Sequence, residues 1–161
     1  MQPKFVLLLL ALTVSIFSIG QTKHNATDTA IIEEATPKQK DSVAKSLSPV
    51  QGKAIVYLLR PTDFGAIVKM NIDCDDIHIG STTAERYVYT LVNPGTHVFV
   101  SKSENHSSLS ITVEAGKIYY IKQQVKMGIF FAETKLKLLD DTEGKKYLSK
   151  CKLSKDNVYS N

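Results

Sequence analysis

Two stretches constrain this chain more than any others: Leu91-Val92-Asn93-Pro94-Gly95-Thr96-His97-Val98-Phe99-Val100 and Val113-Glu114-Ala115-Gly116-Lys117-Ile118-Tyr119-Tyr120-Ile121-Lys122. Each sets a glycine-containing turn before a run of β-branched and aromatic residues, which is how a strand-turn-strand framework is written in sequence. Proline presets φ for the first central position of a type I or II turn, and glycine accepts the positive φ that type II requires at the second. Pro94-Gly95 therefore predicts a tight reversal. Gly116 does the same between Ile111-Thr112-Val113 and Ile118-Tyr119-Tyr120-Ile121.

Around these stretches the apolar pattern is that of strands. Ile55-Val56-Tyr57-Leu58-Leu59 is almost continuously apolar, as a central strand covered on both faces should be. Val68, Met70 and Ile72 alternate with Lys69, Asn71 and Asp73, and Ile77 and Ile79 continue beyond a turn. Leu109, Ile111 and Val113 should face a core with Ser110 and Thr112 outward; in the last strand Thr134, Leu136 and Leu138 should point in and Lys135 and Lys137 out. Asp140 and Glu143 have capping-box spacing, with Tyr147, Leu148 and Cys151 along one helical face. No helix-period segment separates the strands, which argues against a parallel α/β sheet. The expected fold is all-β: an antiparallel β-sandwich of about seven to eight strands over 52–153, a short C-terminal helix, and a tail over 154–161.

The pattern Leu91-x-Asn93-Pro94-Gly95-x-His97, followed by Glu114-Ala115-Gly116-Lys117-x-Tyr119-Tyr120, resembles the domain-of-unknown-function family 2846. Gly52 to Pro61 and Val68 to Asp73 are similar to that family's opening strand and mid-domain hairpin. The resemblance covers roughly Gly52 to Leu153. It implies a β-sandwich in an exported bacterial envelope protein, and it implies no activity. One departure stands at Cys74-Asp75-Asp76, where such families usually turn on a glycine.

The N-terminus carries a localisation signal. Lys4 gives a positive start, Phe5 to Ile19 an apolar stretch of leader length, and Ser18-Ile19-Gly20 a small-x-small site before Gln21. A signal peptide over 1–20, cleaved after Gly20, predicts an exported protein, periplasmic or secreted, with no stable membrane span after cleavage. No cysteine follows the apolar run, so lipid anchoring is not expected. Residues 21–51, rich in Thr, Ala, Lys, Glu and Ser, read as a flexible linker with room for a short helix around Lys38 to Leu47. With net charge +4 over 161 residues, and +3 once Lys4 has left, the lysines are too scattered for a nucleic-acid groove, so no nucleic-acid partner is expected.

Candidate chemistry is sparse. Cys74 and Cys151 are the only cysteines, and export makes them a disulfide candidate against the alternative of two unpaired thiols. Asp73-Cys74-Asp75-Asp76-x-His78 offers oxygen, sulfur and nitrogen ligands, with His97 able to approach from another strand; period-two strands aim several of these apart, so no metal and no cofactor are expected. His97, behind the Pro94-Gly95 turn, is the best single candidate for ligand binding. It has no accompanying nucleophile motif, and a bond to a nearby turn carbonyl is the plainer account. Tyr119 and Phe131, beside the Gly128 turn, are the further binding candidates, as an aromatic platform for a glycan or peptide. These residues point to a non-enzymatic exported binding or accessory module of the cell envelope, its partner an envelope protein or glycan. The alternatives are a structural component using an edge strand and the linker, and, behind it, a metal-dependent or hydrolytic enzyme.

Overall fold

In the computed structural model, residues 35–49, 52–103, 105–127 and 132–158 are described. The expected leader, the linker up to residue 34, and Gly128 to Phe131 lie outside them. The described residues form an all-β sandwich of nine strands with two helices. In chain order these are α1 (Pro37–Lys45), β1 (Ala54–Arg60), β2 (Met70–Cys74), β3 (Ile77–Thr82), β4 (Arg86–Val92), β5 (Gly95–Lys102), β6 (His106–Val113), β7 (Ile118–Met127), β8 (Ala132–Leu139), α2 (Asp141–Lys150) and β9 (Lys152–Leu153). One sheet runs β8-β7-β1-β4-β9 and the other β3-β2-β5-β6. Antiparallel pairs dominate, but β1 pairs β7 in parallel, with Ile55 opposite Ile118, and β4 pairs β9 in parallel. The ninth strand is two residues long, too short to leave a periodic signature.

Every residue of β1 is buried. Val56 and Leu58 face the other sheet, among Ile72, Val88, Phe99, Ile111 and Ile121. Ile55, Tyr57 and Leu59 face the opposite way, into a second layer with Tyr87, Tyr89, Tyr120, Leu139 and Leu148. Each fully buried Ile or Leu contributes about 1.5–3 kcal/mol, so a strand covered twice anchors both layers. Tyr57 is the centre of the outer layer, stacked on Tyr120 at 5.7 Å with the rings 12° apart.

The helices roof that outer layer. Thr36 caps α1 in a reciprocal capping box with Gln39, and Pro37 opens the first turn. The Tyr57 hydroxyl donates to the Ala44 carbonyl at 2.6 Å, and Asp41 Oδ1 accepts the Leu153 amide at 2.7 Å. These bonds make 35–49 part of the domain, unlike the linker expected over 21–51. Asp140 caps α2 by accepting the Glu143 amide at 2.8 Å, the forward half of the capping-box spacing. Leu109, Ile111 and Val113 lie inward of Ser110 and Thr112, as expected. Leu138 is exposed instead of buried, and Leu139, on the opposite face of β8, packs in the outer layer under the helices.

The two glycine turns work differently from the expected reversal. Pro94-Gly95 joins β4 to β5, and Gly116 joins β6 to β7; each pair of strands belongs to different sheets. They are corners that carry the chain across the sandwich. Both glycines have positive φ, 139° and 76°, and the Gly116 amide donates to Lys53 O at 2.9 Å. A local turn signal sets direction but not which sheet receives the next strand.

The seams between the sheets are bonded. On one side the Asn105 side chain donates to Thr134 O at 3.1 Å and accepts the Thr134 amide at 2.8 Å. On the other, Ser154 Oγ donates to Ser81 O at 2.6 Å and the Val158 amide to Ile79 O at 2.9 Å. The expected tail is therefore part of the fold as far as Val158. Inside the sandwich, away from these corners, Gln123 bonds Thr82 Oγ1 and donates to Ser101 Oγ at 2.6 Å, and Ser101 pairs with Thr134 at 2.9 Å. All four side chains are buried, so their mutual bonding is what makes burial tolerable.

Cys74 and Cys151 are both free and buried. Cys74 sits in the inter-sheet core and Cys151 in the outer layer, so the five-stranded sheet separates them and the disulfide candidate is not realised. Burial is the main reason both thiols are pushed up to about 12. Native protein should therefore be almost inert to a thiol reagent at pH 8, while the unfolded, unreduced chain should release two equivalents; fewer than two would show a bridge.

Candidate functional site

The β2–β3 hairpin closes on two residues, Asp75 and Asp76, both with positive φ, 49° and 65°. A two-residue loop of this hand normally uses Asn or Gly; Asp tolerates it because its short carboxylate bonds locally. Here Asp75 reaches across to β5. Its Oδ1 accepts the Val98 amide at 2.8 Å, and its Oδ2 lies 2.5 Å from His97 Nδ1. The other ring nitrogen, Nε2, is 2.8 Å from the Asn93 carbonyl. Cys74 Sγ lies 3.9 Å from the same Asp75 Oδ2. The three side chains thus place a sulfur, an oxygen and a nitrogen within 4.8 Å of one another.

The electrostatics follow from these contacts. The Val98 amide, ahead of the His97 bond, holds the Asp75 carboxyl below its ordinary value against the opposing effect of burial. Burial pushes His97 down, but the Asp75 bond, the Asn93 carbonyl and the Asp75 charge outweigh it and raise its pKa. Both ring nitrogens face acceptors, and a carboxylate stands between the ring and the thiol. That leaves no unengaged base beside Cys74, whose thiol is in any case protonated at neutral pH. The turn carbonyl expected as the partner of His97 is that of Asn93.

The other expected hairpin ligands go elsewhere. Asp73, nearly buried, bonds His78 Nδ1 at 3.1 Å and Lys102 Nζ at 2.5 Å; a lysine in that cluster disfavours a cation. Tyr119 is half-buried against the inter-sheet core and its hydroxyl accepts the Glu114 amide at 3.0 Å. Phe131 lies outside the described residues.

At the opposite end of β2 the structure shows a feature that the sequence reading missed. Arg60 is fully buried, the largest such side chain among the described residues. Nη1 donates to Val68 O at 2.6 Å and Thr82 O at 3.4 Å; Nη2 donates to Gly65 O at 2.7 Å and Phe64 O at 3.1 Å. One guanidinium thus ties down the loop between β1 and β2, and burial lowers its pKa. The loop presents Phe64, 40% exposed, and Ile67, 93% exposed. Its only sequence signal is an arginine closing an otherwise apolar strand before Pro61.

A family described as "Protein of unknown function (DUF2846)" matches residues 50–134. This chain belongs to the DUF2846 family. The matched region runs from just before β1 into β8, so it contains Arg60 and its loop, the Cys74-Asp75-Asp76 turn and His97, and stops short of α2. Beyond the family match, the DUF2846 chain is 29% identical over 126 residues to an uncharacterised protein of Haemophilus influenzae, an alignment covering 78% of this chain and 75% of that protein.

Proposed function

We propose that this DUF2846 chain is an exported, non-enzymatic binding or accessory module of the cell envelope, and that the Arg60-braced loop between β1 and β2 is its recognition element. The observation that carries this reading is the pairing of a buried cation with outward-facing apolar side chains. Burying a guanidinium without a carboxylate partner is costly. Here the charge is met by four carbonyls, three of them in one loop, and the result is a loop held still while Ile67 stands in solvent. A pre-ordered loop loses less entropy on binding than a loose one. The exposed group is aliphatic more than aromatic, which suits the apolar surface of a partner protein better than a sugar face. Export rests on Lys4, the apolar Phe5 to Ile19 stretch and the site before Gln21.

Strand addition at a sheet edge, the structural alternative, has less support because contacts from Asn105 on one side and from Ser154 and Val158 on the other already occupy part of the edges. Catalysis through Cys74 and His97 is disfavoured by the raised thiol pKa and the doubly engaged ring. Tagged full-length protein, purified from its host's envelope fraction, should bring down one saturable protein partner, and Ile67→Asp should cut its recovery at least tenfold without changing the melting temperature. Equal recovery by both proteins, or recovery of glycan alone, would overturn the assignment of this loop.

A further inference from the structure

We propose that Cys74, Asp75 and His97 form a binding site for a thiophilic divalent cation, zinc being the best suited. The site lies at the far end of the sandwich from the Arg60 loop and does not depend on the role assigned to that loop.

The argument begins with how each ligand is held. His97 Nε2 is 2.8 Å from Asn93 O. A hydrogen on Nε2 donating to that carbonyl leaves the Nδ1 lone pair directed at Asp75 Oδ2, 2.5 Å away. The ring nitrogen and the carboxylate oxygen therefore converge on one point, where a cation can be shared between them. Asp75 Oδ1 is meanwhile fixed by the Val98 amide, leaving Oδ2 for the shared occupant. The thiol of Cys74 completes a set of sulfur, nitrogen and oxygen. Bonds from ring nitrogen to backbone carbonyl and from carboxylate to amide are the outer contacts that orient metal ligands.

The dimensions suit zinc. Bond lengths of about 2.3 Å to sulfur and about 2.0–2.2 Å to nitrogen and oxygen imply ligand separations of roughly 3.3–3.7 Å in a tetrahedron. Relative to that, the Nδ1 to Oδ2 distance must open, and the 3.9 Å between Sγ and Oδ2 must close slightly. The movements at Oδ2 fall on Asp75, whose side chain is 45% exposed at the hairpin tip, while the sulfur and the ring nitrogen, which lie within 4.8 Å of each other, draw together around the ion. The same exposure provides the entry path and leaves a fourth position for water. Sulfur and imidazole exclude calcium and magnesium as preferred ions. On binding, the cation takes the places of the Nδ1 proton and the thiol proton, and both protons pass to solvent.

The test uses the reduced, chelator-treated full chain and cobalt(II) as probe. One equivalent should give a thiolate-to-cobalt charge-transfer band, and one equivalent of zinc should bleach it. Cys74→Ser should abolish the band, while Cys151→Ser should keep it. Because Cys74 is buried, a second variant guards against misfolding: Asp75→Gly suits the positive φ of the turn and removes only the carboxylate, and it should weaken cobalt binding at least tenfold. Absence of the band at one equivalent, its survival in Cys74→Ser, or unchanged affinity in Asp75→Gly would each overturn the site.

Discussion

Arg60→Met should destabilise the protein by about 3 kcal/mol, a fall of roughly 6–12 °C in Tm for a chain of this size. Methionine is close to arginine in length and removes the desolvated charge, which by itself would be favourable. It also strips the donors from Phe64, Gly65, Val68 and Thr82. An unsatisfied buried carbonyl costs about 1–3 kcal/mol, and the Thr82 carbonyl lies in a strand that cannot turn to water, while those of Phe64, Gly65 and Val68 regain water as their loop loosens. The balance is therefore a loss smaller than the sum of four broken bonds. Chemical denaturation measures it, and faster exchange of the Val68 amide, bonded to Gly65 O at 2.9 Å, would locate it in the loop. A variant as stable as the parent would show that the guanidinium repays only its own desolvation.

Gly144→Ala should be nearly as damaging, against its helix propensity. Alanine in the interior of α2 gains about 1 kcal/mol over glycine. Yet a Cβ at 144 would stand 2.2 Å from Tyr120 Cγ and 2.6 Å from Tyr120 Cβ. Those atoms belong to the stiff base of a ring stacked on Tyr57, not to the free end of a flexible chain. Either α2 lifts off the sheet or the Tyr57–Tyr120 stack shifts, and overpacking of this kind costs about 1–3 kcal/mol or more. A net loss of about 2 kcal/mol, read as a drop of about 4–8 °C in Tm, is expected. An unchanged or raised Tm would mean that the helix is held less closely than its contacts indicate.

Much of the sandwich can be read along the chain because burial and alternation are local. The apolar run Ile55 to Leu59 marks a strand covered on both faces, and Leu109, Ile111 and Val113 mark one covered on a single face. The Asp140 cap identifies α2 because capping needs only neighbours within three residues. Where the reading stops, the cause is distance in sequence. Pro94-Gly95 looks the same whether it closes a hairpin or turns a corner, and only the pairing of β5 with β2 decides. That pairing also brings His97 to Asp75, which is why the ligand set at 73–78 could be suspected while its convergence could not. Tyr57, Tyr87 and Tyr89 alternate as they would on any half-buried strand, and the helical roof that makes them a core layer comes from both ends of the chain. Helix α1 falls where a short helix is expected, but its docking is not legible in the sequence: among its nine residues only Ala44 is buried, and it is held by three hydrogen bonds, from Tyr57, Tyr87 and Leu153, more than by an apolar stripe. Cys74 and Cys151 show the reverse error, since a shared residue type suggested a bridge that the layers of the sandwich keep apart.

The parallel register of β1 against β7 has a kinetic consequence. Ile55 cannot meet Ile118 until the chain beyond β6 is present, so the strand that anchors both layers has one flank unpaired until late in synthesis. Contacts this remote in sequence slow folding. The central strand is thus among the first made and among the last completed, waiting for a neighbour that follows more than sixty residues behind.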